Sequence, residues 1–594
     1  MAAALNEMLP SWNLADLYRS AQDPELSRDL DEAQRAAEAF AARYEGKLVA
    51  ILGQGAGALG EAIAEYERIS EILGRAGSYA ALLFSADMSD DAIGKFRTDV
   101  FDRLNAVTRP LIFFELELNT LEDTPLEAAL ADAALVRYAA WVRRGRRFKP
   151  HQLSDELERF IHDLSVTGTG AWMRLFDETL SGFTIAARGE SLPLEGALHK
   201  MMSADPAERA AWANALADVF RANLKSFALI FNTIVKDKEI EDRWRKYGTP
   251  ESFRHLTNEV EPEVVDALVT AVRAAYPKLA HRYYTMKARW LGKEALDYWD
   301  RNAPLPGAPD AAISWAEARD TVLGAYGAFS PAMAKIAQMF FDKQWIDAPL
   351  RPGKASGAFA HSTVPSAHPY VLLNYQGHAR DVMTLAHELG HGVHQVLASK
   401  QGYFQSQTPL TLAETASVFG EMLTFQALLA RATDPARRRA LLAGKVEDML
   451  NTVVRQIAFY SFEQKIHAAR RGGELTAADI SALWLEVQRE SLGPAVKQNE
   501  GYETYWCYIS HFIHSPFYVY AYAFGDCLVN ALYARYEAEP AGFGEKYLAL
   551  LEAGGTLGHQ ALLRPFGLDA TDPAFWSLGL NRIAGMIDQL EVMG

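Results

Sequence analysis

Two histidines four residues apart, with a glutamate beside the first, stand at His387-Glu388-Leu389-Gly390-His391. They lie in the stretch DVMTLAHELGHGVHQVLA, residues 381–398, where Val382, Leu385, Leu389, Val393 and Val396 recur at helical spacing. A helix of about 3.6 residues per turn places both imidazoles on one face, about 6 Å apart along its axis. Imidazoles so placed converge on one tetrahedral cation, at bond lengths of about 2.0–2.1 Å for zinc. Glu388 is one residue on, near the same face. It reaches a water on the cation rather than the cation itself, the place of a general base. Chance would put this pattern in a chain of this length roughly 0.02 times. Because the motif also sits on a helical apolar pattern, zinc chemistry outweighs the alternative of two histidines on an ordinary exposed helix.

A catalytic zinc takes three protein ligands and keeps one position open. The third is expected from another element. Residues 408–430, TPLTLAETASVFGEMLTFQALLA, read as a second amphipathic helix through Leu412, Val418, Phe419, Met422 and Phe425. Glu414 lies on it, 23 residues after His391, enough chain for a helix end, a loop and an antiparallel return. Glu414 is therefore assigned as the third ligand. Glu421, two turns further along, is a candidate to orient a ligand histidine. Both glutamates have apolar neighbours, which argues against a merely solvated face. Just ahead of the motif, the pattern changes. Tyr370 to Tyr375, within PYVLLNY, is short, β-branched and aromatic, and is read as a strand. This strand could pair with an extended substrate.

HELGH followed by the AETASVFGE helix resembles the oligoendopeptidase F family, relatives of thimet oligopeptidase and neurolysin. GAF…HPYVLLNYQG before the motif, and WNLADLY from Trp12, are similar to family members too. The resemblance covers most of the chain and is strongest from Gly357 to Gly525. It implies zinc ligands at His387, His391 and Glu414, one zinc per chain, and a general base at Glu388. It also implies a neurolysin-like zincin fold with two helical lobes around a deep substrate channel. A His and Tyr cluster is expected in SHFIHSPFYVYAYAFG, residues 510–525. It holds His511, His514, Tyr518, Tyr520 and Tyr522. A neutral Tyr hydroxyl there can donate to the oxyanion formed as water attacks a peptide carbonyl. Tyr518 and Tyr522, read as one helical turn apart, are favoured together with His511.

The rest of the chain must position these groups. Leu26, Leu30, Ala33, Ala37, Phe40 and Tyr44 form one apolar stripe, and EAIAEYERISEIL from Glu61 repeats the pattern. Helices of this kind fill the first 200 residues, with no ligand-spaced His, Glu or Cys. The expectation is a mostly α protein with a small β element beside the motif helix. Residues 1–200 would form a helical scaffold or lid and 201–594 the catalytic domain. Pro/Gly breaks fall at NAPLPGAPD from Asn302 and APLRPGKASG from Ala348.

Of the 594 residues, 49% are hydrophobic and 23% charged, the mix of a folded globular chain. The net charge of −16 makes phosphate-rich partners, nucleic acid and anionic membrane, poor ones. Cys507 and Cys527 are too few for a disulfide-built scaffold and are read as reduced, buried thiols. Residues MAAALNEMLPSW carry no secretory signal, and no apolar run reaches a membrane span, so the cytoplasm is the expected compartment. The function expected is zinc-dependent cleavage of short unstructured peptides at internal bonds. A zinc carboxypeptidase or dipeptidyl carboxypeptidase is the alternative; it would need a cation for the terminal carboxylate. A zinc-stabilised binding protein is a third reading, weakened by Glu388, since structural sites need no general base.

Overall fold

The structure, a computed structural model, describes residues 9–306 and 312–593. The first eight residues of the segment read for a signal, and the part of the Pro/Gly break after Pro306, lie outside the described residues. Helices dominate, as the periodicity implies, and the sheets are small. The stripe from Leu26 to Tyr44 is the buried face of a helix spanning Pro24–Tyr44. Asp23 caps it by accepting the Glu25 amide at 3.0 Å. Pro24 takes the first position, where a missing N–H costs nothing.

Two compact units emerge, each assembled from three stretches of chain. One comprises Met1–Lys149, Asp310–Arg431 and Arg535–Leu568; the other comprises Pro150–Pro309, Ala432–Ala534 and Asp569–Gly594. These units do not follow the sequential division at residue 200. Periodicity tells which face of a helix is buried, not which distant helix buries it. The second unit is built on a 39-residue helix, Pro206–Trp244, that buries Trp212, Phe220, Phe227 and Phe231. It also holds Cys507 and Cys527, both buried and unbridged. Among the described residues, no helix is long and apolar enough to cross a membrane.

In the first unit the N-terminal helices form an apolar cluster around Phe40, Ile63 and Phe114. That cluster reaches the loop ahead of the Glu414 helix. Trp141 stacks on Phe404 at 4.5 Å, and Glu67 accepts from the Phe404 amide at 3.3 Å. The expected strand is present as Tyr370–Tyr375. It is flanked on one side by Ile346–Pro349, parallel, and on the other by Phe359–His361, antiparallel. The region read as a break from Ala348 thus begins inside a strand. The strand Tyr370–Tyr375 is internal, with both backbone edges already paired, so it cannot add a substrate strand. The pairing edge nearer the motif is Phe359–His361. That short strand carries too few residues for a period-two pattern to mark it.

The sheet is buttressed from two sides. Trp12 packs edge-on against Tyr370 at 5.9 Å, and the Tyr370 hydroxyl donates to the Asn13 carbonyl at 2.8 Å. The WNLADLY segment is thereby tied to the sheet beside the motif. Lys354, fully buried, donates to the Pro349 and Leu373 carbonyls at 2.8 and 2.5 Å and pairs with Asp347 at 2.6 Å. Burial pulls its pKa below the usual lysine range, against the opposing pull of Asp347.

The motif helix spans Ala379–Ala398 and the glutamate helix Leu410–Arg431. Glycines fix how closely they pack. A Cβ on Gly390 would lie 2.5 Å from the Ala416 carbonyl oxygen and 2.6 Å from the Ser417 Cα. These are backbone atoms and cannot rotate away. Gly420 similarly makes room for the Tyr326 ring, whose hydroxyl donates to the Ala386 carbonyl at 2.5 Å. Gly390→Ala should therefore force the two helices apart. We expect a loss of about 1–3 kcal/mol, the usual scale of overpacking, measured as a lower denaturant midpoint with unchanged slope. A midpoint equal to wild type would show that the contact yields without cost.

Candidate metal centre

The motif helix begins with a reciprocal cap. Asp381 accepts the His378 amide at 2.9 Å, and the His378 side chain accepts in return from the third residue of the helix. Val382, Leu385, Leu389 and Val393 are buried, and Val396 is half-buried. That orientation turns His387 and His391 to the glutamate helix. Leu412, Val418, Phe419, Met422 and Phe425 are buried likewise and turn Glu414 and Glu421 to the histidines.

The ligand atoms of His387, His391 and Glu414 all lie within 4.8 Å of one another. Glu414 Oε2 is 3.3 Å from His387 Nε2 and 3.4 Å from His391 Nε2. The edge of a tetrahedron with bonds of about 2.0–2.1 Å is about 3.3–3.4 Å, so these separations fit a single zinc. The donor set, two imidazoles and one carboxylate, is that of a catalytic site with a fourth position open. The side chains of His387, His391 and Glu414 keep 27%, 19% and 27% of their surface exposed, so the cluster has an open side.

Two neighbours hold the ligands in place. His387 donates from Nδ1 to Glu421 Oε2 at 3.1 Å, which leaves Nε2 turned to Glu414 and His391. Ser417, three residues after Glu414 and fully buried, donates to Glu414 Oε2 at 2.6 Å. Sequence reasoning found Glu421 but missed Ser417. Its position at i+3 from the ligand on a helix was the available signal.

Burial disfavours a charged His387, but hydrogen bonds and charge from Glu414 and Glu421 outweigh it and push its pKa up to about 10. Burial would raise Glu414, yet the two histidines hold it well below the usual carboxylate range. The cluster thus demands positive charge, supplied by a proton or by a dication. Glu388 is different. It is 7% exposed, and burial pushes its pKa up, against the charge of the two histidines and a hydrogen bond from the Ala360 amide on the edge strand.

The second unit holds the His/Tyr cluster. His511 Nε2 and the Tyr522 hydroxyl are 3.2 Å apart. The Tyr518 ring lies 5.2 Å from that of Tyr522 and 5.8 Å from that of His511. These three are half-buried and form one group. Tyr520 does not join it; it is fully buried, accepting from Asn258 at 2.9 Å and contacting His255 at 3.1 Å. His514 is drawn off to Asp177 at 2.8 Å. Tyr518 also differs from expectation, because the helix starts only at Tyr520. Phe517, with φ of +59°, breaks the helix just ahead of it. Missed from sequence was Arg254, whose guanidinium lies 5.5 Å from the Tyr518 ring centre.

Two family models match the chain. One, for peptidase family M3, covers residues 329–581; the other, oligopeptidase F, covers 117–184. The chain belongs to peptidase family M3, in its oligopeptidase F branch. It is 23% identical to oligopeptidase PepF of Bacillus subtilis, over 98% of this chain and 87% of that protein. It is 29% identical to an oligoendopeptidase F homolog of Lactococcus lactis, over 62% and 61%. Among solved structures, a Chlamydophila abortus protein matches with TM-score 0.85 and 22% identity over 99% of both chains. Oligoendopeptidase-F from Enterococcus faecium matches with TM-score 0.70 and 22% identity over 96% and 97%.

This M3 chain is therefore a metallopeptidase acting on peptides, and the family implies zinc. The reading as a non-enzymatic zinc-stabilised binding protein falls away. The M3-matched stretch contains every candidate residue from His387 to Tyr522. For this M3 site, Glu414→Ala should abolish zinc binding, read as metal content after gel filtration; full occupancy would reject the ligand. Glu421→Gln should lower zinc affinity about 10–100-fold, the scale for losing a partner of a ligand histidine. Metal must displace the His387 proton, whose pKa is near 10. Zinc affinity in chelator competition should thus rise with pH from 6 to 8, by about tenfold per unit for one displaced proton.

Proposed function

We propose that this M3 enzyme is a zinc-dependent oligoendopeptidase that hydrolyses internal bonds of short, unstructured peptides. The observation that carries the reading is the convergence of His387, His391 and Glu414 beside the buried carboxyl of Glu388. Zinc held by those three residues would supply Lewis acidity and lower the pKa of a water to about 7.

The chain's own residues do the rest. Glu388, its basicity raised by burial, takes the proton of the attacking water and passes it to the leaving amine. Its hydrogen bond to Ala360 ties the base to the edge strand. Glu421 and Ser417 keep His387 and Glu414 aimed while charge redistributes. The hydroxyl of Tyr518 or Tyr522, aided by His511, donates to the carbonyl oxygen as it becomes an oxyanion. Burial holds His511 below the usual imidazole range, with Arg455 and His514 adding to the effect, so it serves as a neutral hydrogen-bonding group at pH 7.

Substrate selection follows from backbone chemistry. The edge Phe359–His361 offers main-chain groups to an extended segment. Only a peptide whose own N–H and C=O groups are unpaired can accept that offer. Folded proteins have already spent theirs in helices and sheets. The relatives' names, oligopeptidase and oligoendopeptidase, support the same substrate size.

Glu388→Gln should keep near-normal zinc content and lose at least about 10²-fold in kcat. Tyr518→Phe and Tyr522→Phe test the oxyanion donor: at least one should lose about 10²–10³ in kcat with little change in KM. If both retain wild-type kcat, the donor lies elsewhere. The function itself is tested with terminally blocked peptides of about 5–20 residues and a folded protein such as serum albumin. Chelator-sensitive cleavage of the peptides alone is expected. Failure on every blocked peptide, with cleavage of free ones, would favour the carboxypeptidase alternative.

A further inference from the structure

The first unit contains a cavity of about 150 Å³, walled in part by Trp345, Thr363, His368 and Gln395. Among the described residues, no Asp, Glu, Lys or Arg lines it. Yet the wall is not apolar throughout. The Trp345 indole N–H and the Gln395 amide oxygen are both buried without a hydrogen-bond partner. Other polar groups in the wall are already spent. His368 uses one ring nitrogen on Asp16 at 2.9 Å and the other on the Pro369 carbonyl at 3.1 Å. The Ser399 hydroxyl donates to the Val396 carbonyl at 2.8 Å. The Thr363 hydroxyl donates to the His368 carbonyl at 2.8 Å, and Thr363 holds φ at +55°, a costly conformation for a β-branched residue. The turn that forms this wall is thus kept in shape at a cost. It leaves one donor and one acceptor unused.

The cavity, the candidate zinc ligands and the edge strand all belong to the first unit. Two elements of the site run into the cavity wall. On the motif helix, Gln395 follows His391 by four residues, on the same face and about 6 Å further along the axis. On the edge strand, the Ala360 amide donates to Glu388, and Ser362, two residues on, lines the cavity. Two strand residues span about 7 Å. Both elements therefore put the cavity about 6–7 Å from the reacting groups. An extended peptide covers that distance in about two residues.

We propose that this cavity receives a carboxamide side chain, Asn or Gln, of the peptide substrate, two residues from the bond that is cut. The inference rests on the endopeptidase reading above and deepens it. The carboxamide oxygen accepts from the Trp345 indole, and its NH2 donates to the Gln395 oxygen, so both unused groups are satisfied at once. A carboxylate could accept from the indole but would face the Gln395 oxygen, acceptor against acceptor. An ammonium would face the indole N–H, donor against donor. An aliphatic side chain would leave both groups buried and unpaired. A main-chain amide carries the same donor and acceptor, but it belongs to the strand lying along the edge, and a cavity this small takes a side chain and not the strand itself. A site built to hydrogen-bond a group rejects analogues that lack it more strongly than an apolar pocket rejects a missing methylene. The enzyme would then read one side chain in a substrate otherwise held by its backbone.

The test uses zinc-loaded full-length protein carrying Glu388→Gln. Fluorescence anisotropy measures its binding of labelled, terminally blocked peptides of one sequence, in which each position in turn is Gln, Asn, Leu, Glu or Lys. At one position a carboxamide should bind at least about tenfold more tightly than the other three, the scale of leaving buried polar groups unpaired. Product mapping with the wild-type enzyme should place the cut two residues from that position. Gln395→Leu and Trp345→Phe, each added to Glu388→Gln, should erase the preference, with zinc content showing that the metal centre is intact. Gln395→Glu keeps an acceptor and adds charge. It should turn the preference toward Lys, a reversal that a merely structural role would not produce. Equal affinity for all five side chains at every position, a carboxamide preference that either deletion of a hydrogen-bonding group leaves untouched, or one at another distance from the cut overturns the proposal. Wild-type cleavage of the blocked peptides is scored separately: none at all would sink the endopeptidase reading, while the binding series still decides the cavity.

Discussion

The approach of two helix backbones to each other is the constraint on which the candidate metal centre depends. Gly390 lies inside the motif, between Glu388 and His391, and faces the backbone of Ala416 and Ser417. Any side chain there would meet main chain rather than a movable group. Glu414 lies two and three residues before that contact, so the distance between the helices sets how far its carboxylate reaches. Its oxygen stands 3.3 and 3.4 Å from the two histidines. A shift of 1 Å would spoil a set of separations that match a tetrahedral edge. The surrounding elements maintain that distance. Tyr326 ties to Ala386 through the space left by Gly420. Tyr547 donates to the Thr415 carbonyl at 2.8 Å, beside Glu414. On the far side of the motif helix, Gly392 accommodates the Phe340 ring.

Charge organises what the backbone brings together. Glu414 and Glu421 bracket His387, one at each ring nitrogen, so the ring is fixed in orientation before a cation arrives. This preorganisation lowers the cost of assembling the site on binding. Glu388 sits one residue from His387, yet burial leaves it closer to neutrality than Glu414, whose charge the histidines stabilise. Two carboxylates within one cluster are thereby pushed in opposite directions. That split suits the proposed roles, one as a ligand that must be ionised and the other as a base able to receive and release a proton.

The chemistry was more legible in the sequence than the topology. His387, Glu388 and His391 follow from four-residue spacing on a helix, which is local and survives without tertiary information. Glu414 and Glu421 required only a second apolar period and a plausible loop length. The strand Tyr370–Tyr375 was visible because it is short, β-branched and aromatic and is bounded by proline and glycine; five of its six residues are buried. That burial on both faces marks a central strand, and a central strand has no edge to offer. Its partners, Phe359–His361 and Ile346–Pro349, are three and four residues long and carry no period of their own. The interleaving of the two units was out of reach for a similar reason. Which helix covers which stripe is decided by shape complementarity over long separations, and one sequence does not display that.

The His/Tyr cluster shows why composition alone cannot assign roles. Tyr518, Tyr520 and Tyr522 alternate along five residues, and a regular helix would have spread them around its axis. The chain instead leaves regular structure before Tyr520. Phe517 takes a positive φ, a conformation that costs a bulky residue of order 1–3 kcal/mol. The surroundings compensate. The Phe517 amide donates to buried Glu463 at 2.7 Å, its ring packs against Tyr460 and His467, and Arg254 donates to the Pro516 carbonyl at 3.3 Å. The kink rotates Tyr518 out of the helical register and sets its ring against those of Tyr522 and His511. Tyr520 points the other way, into Asn258 and His255. Strain at one residue therefore divides three identical side chains into one structural group and two half-exposed donors. The kink is held from outside the cluster, by the buried carboxyl of Glu463 and by Arg254.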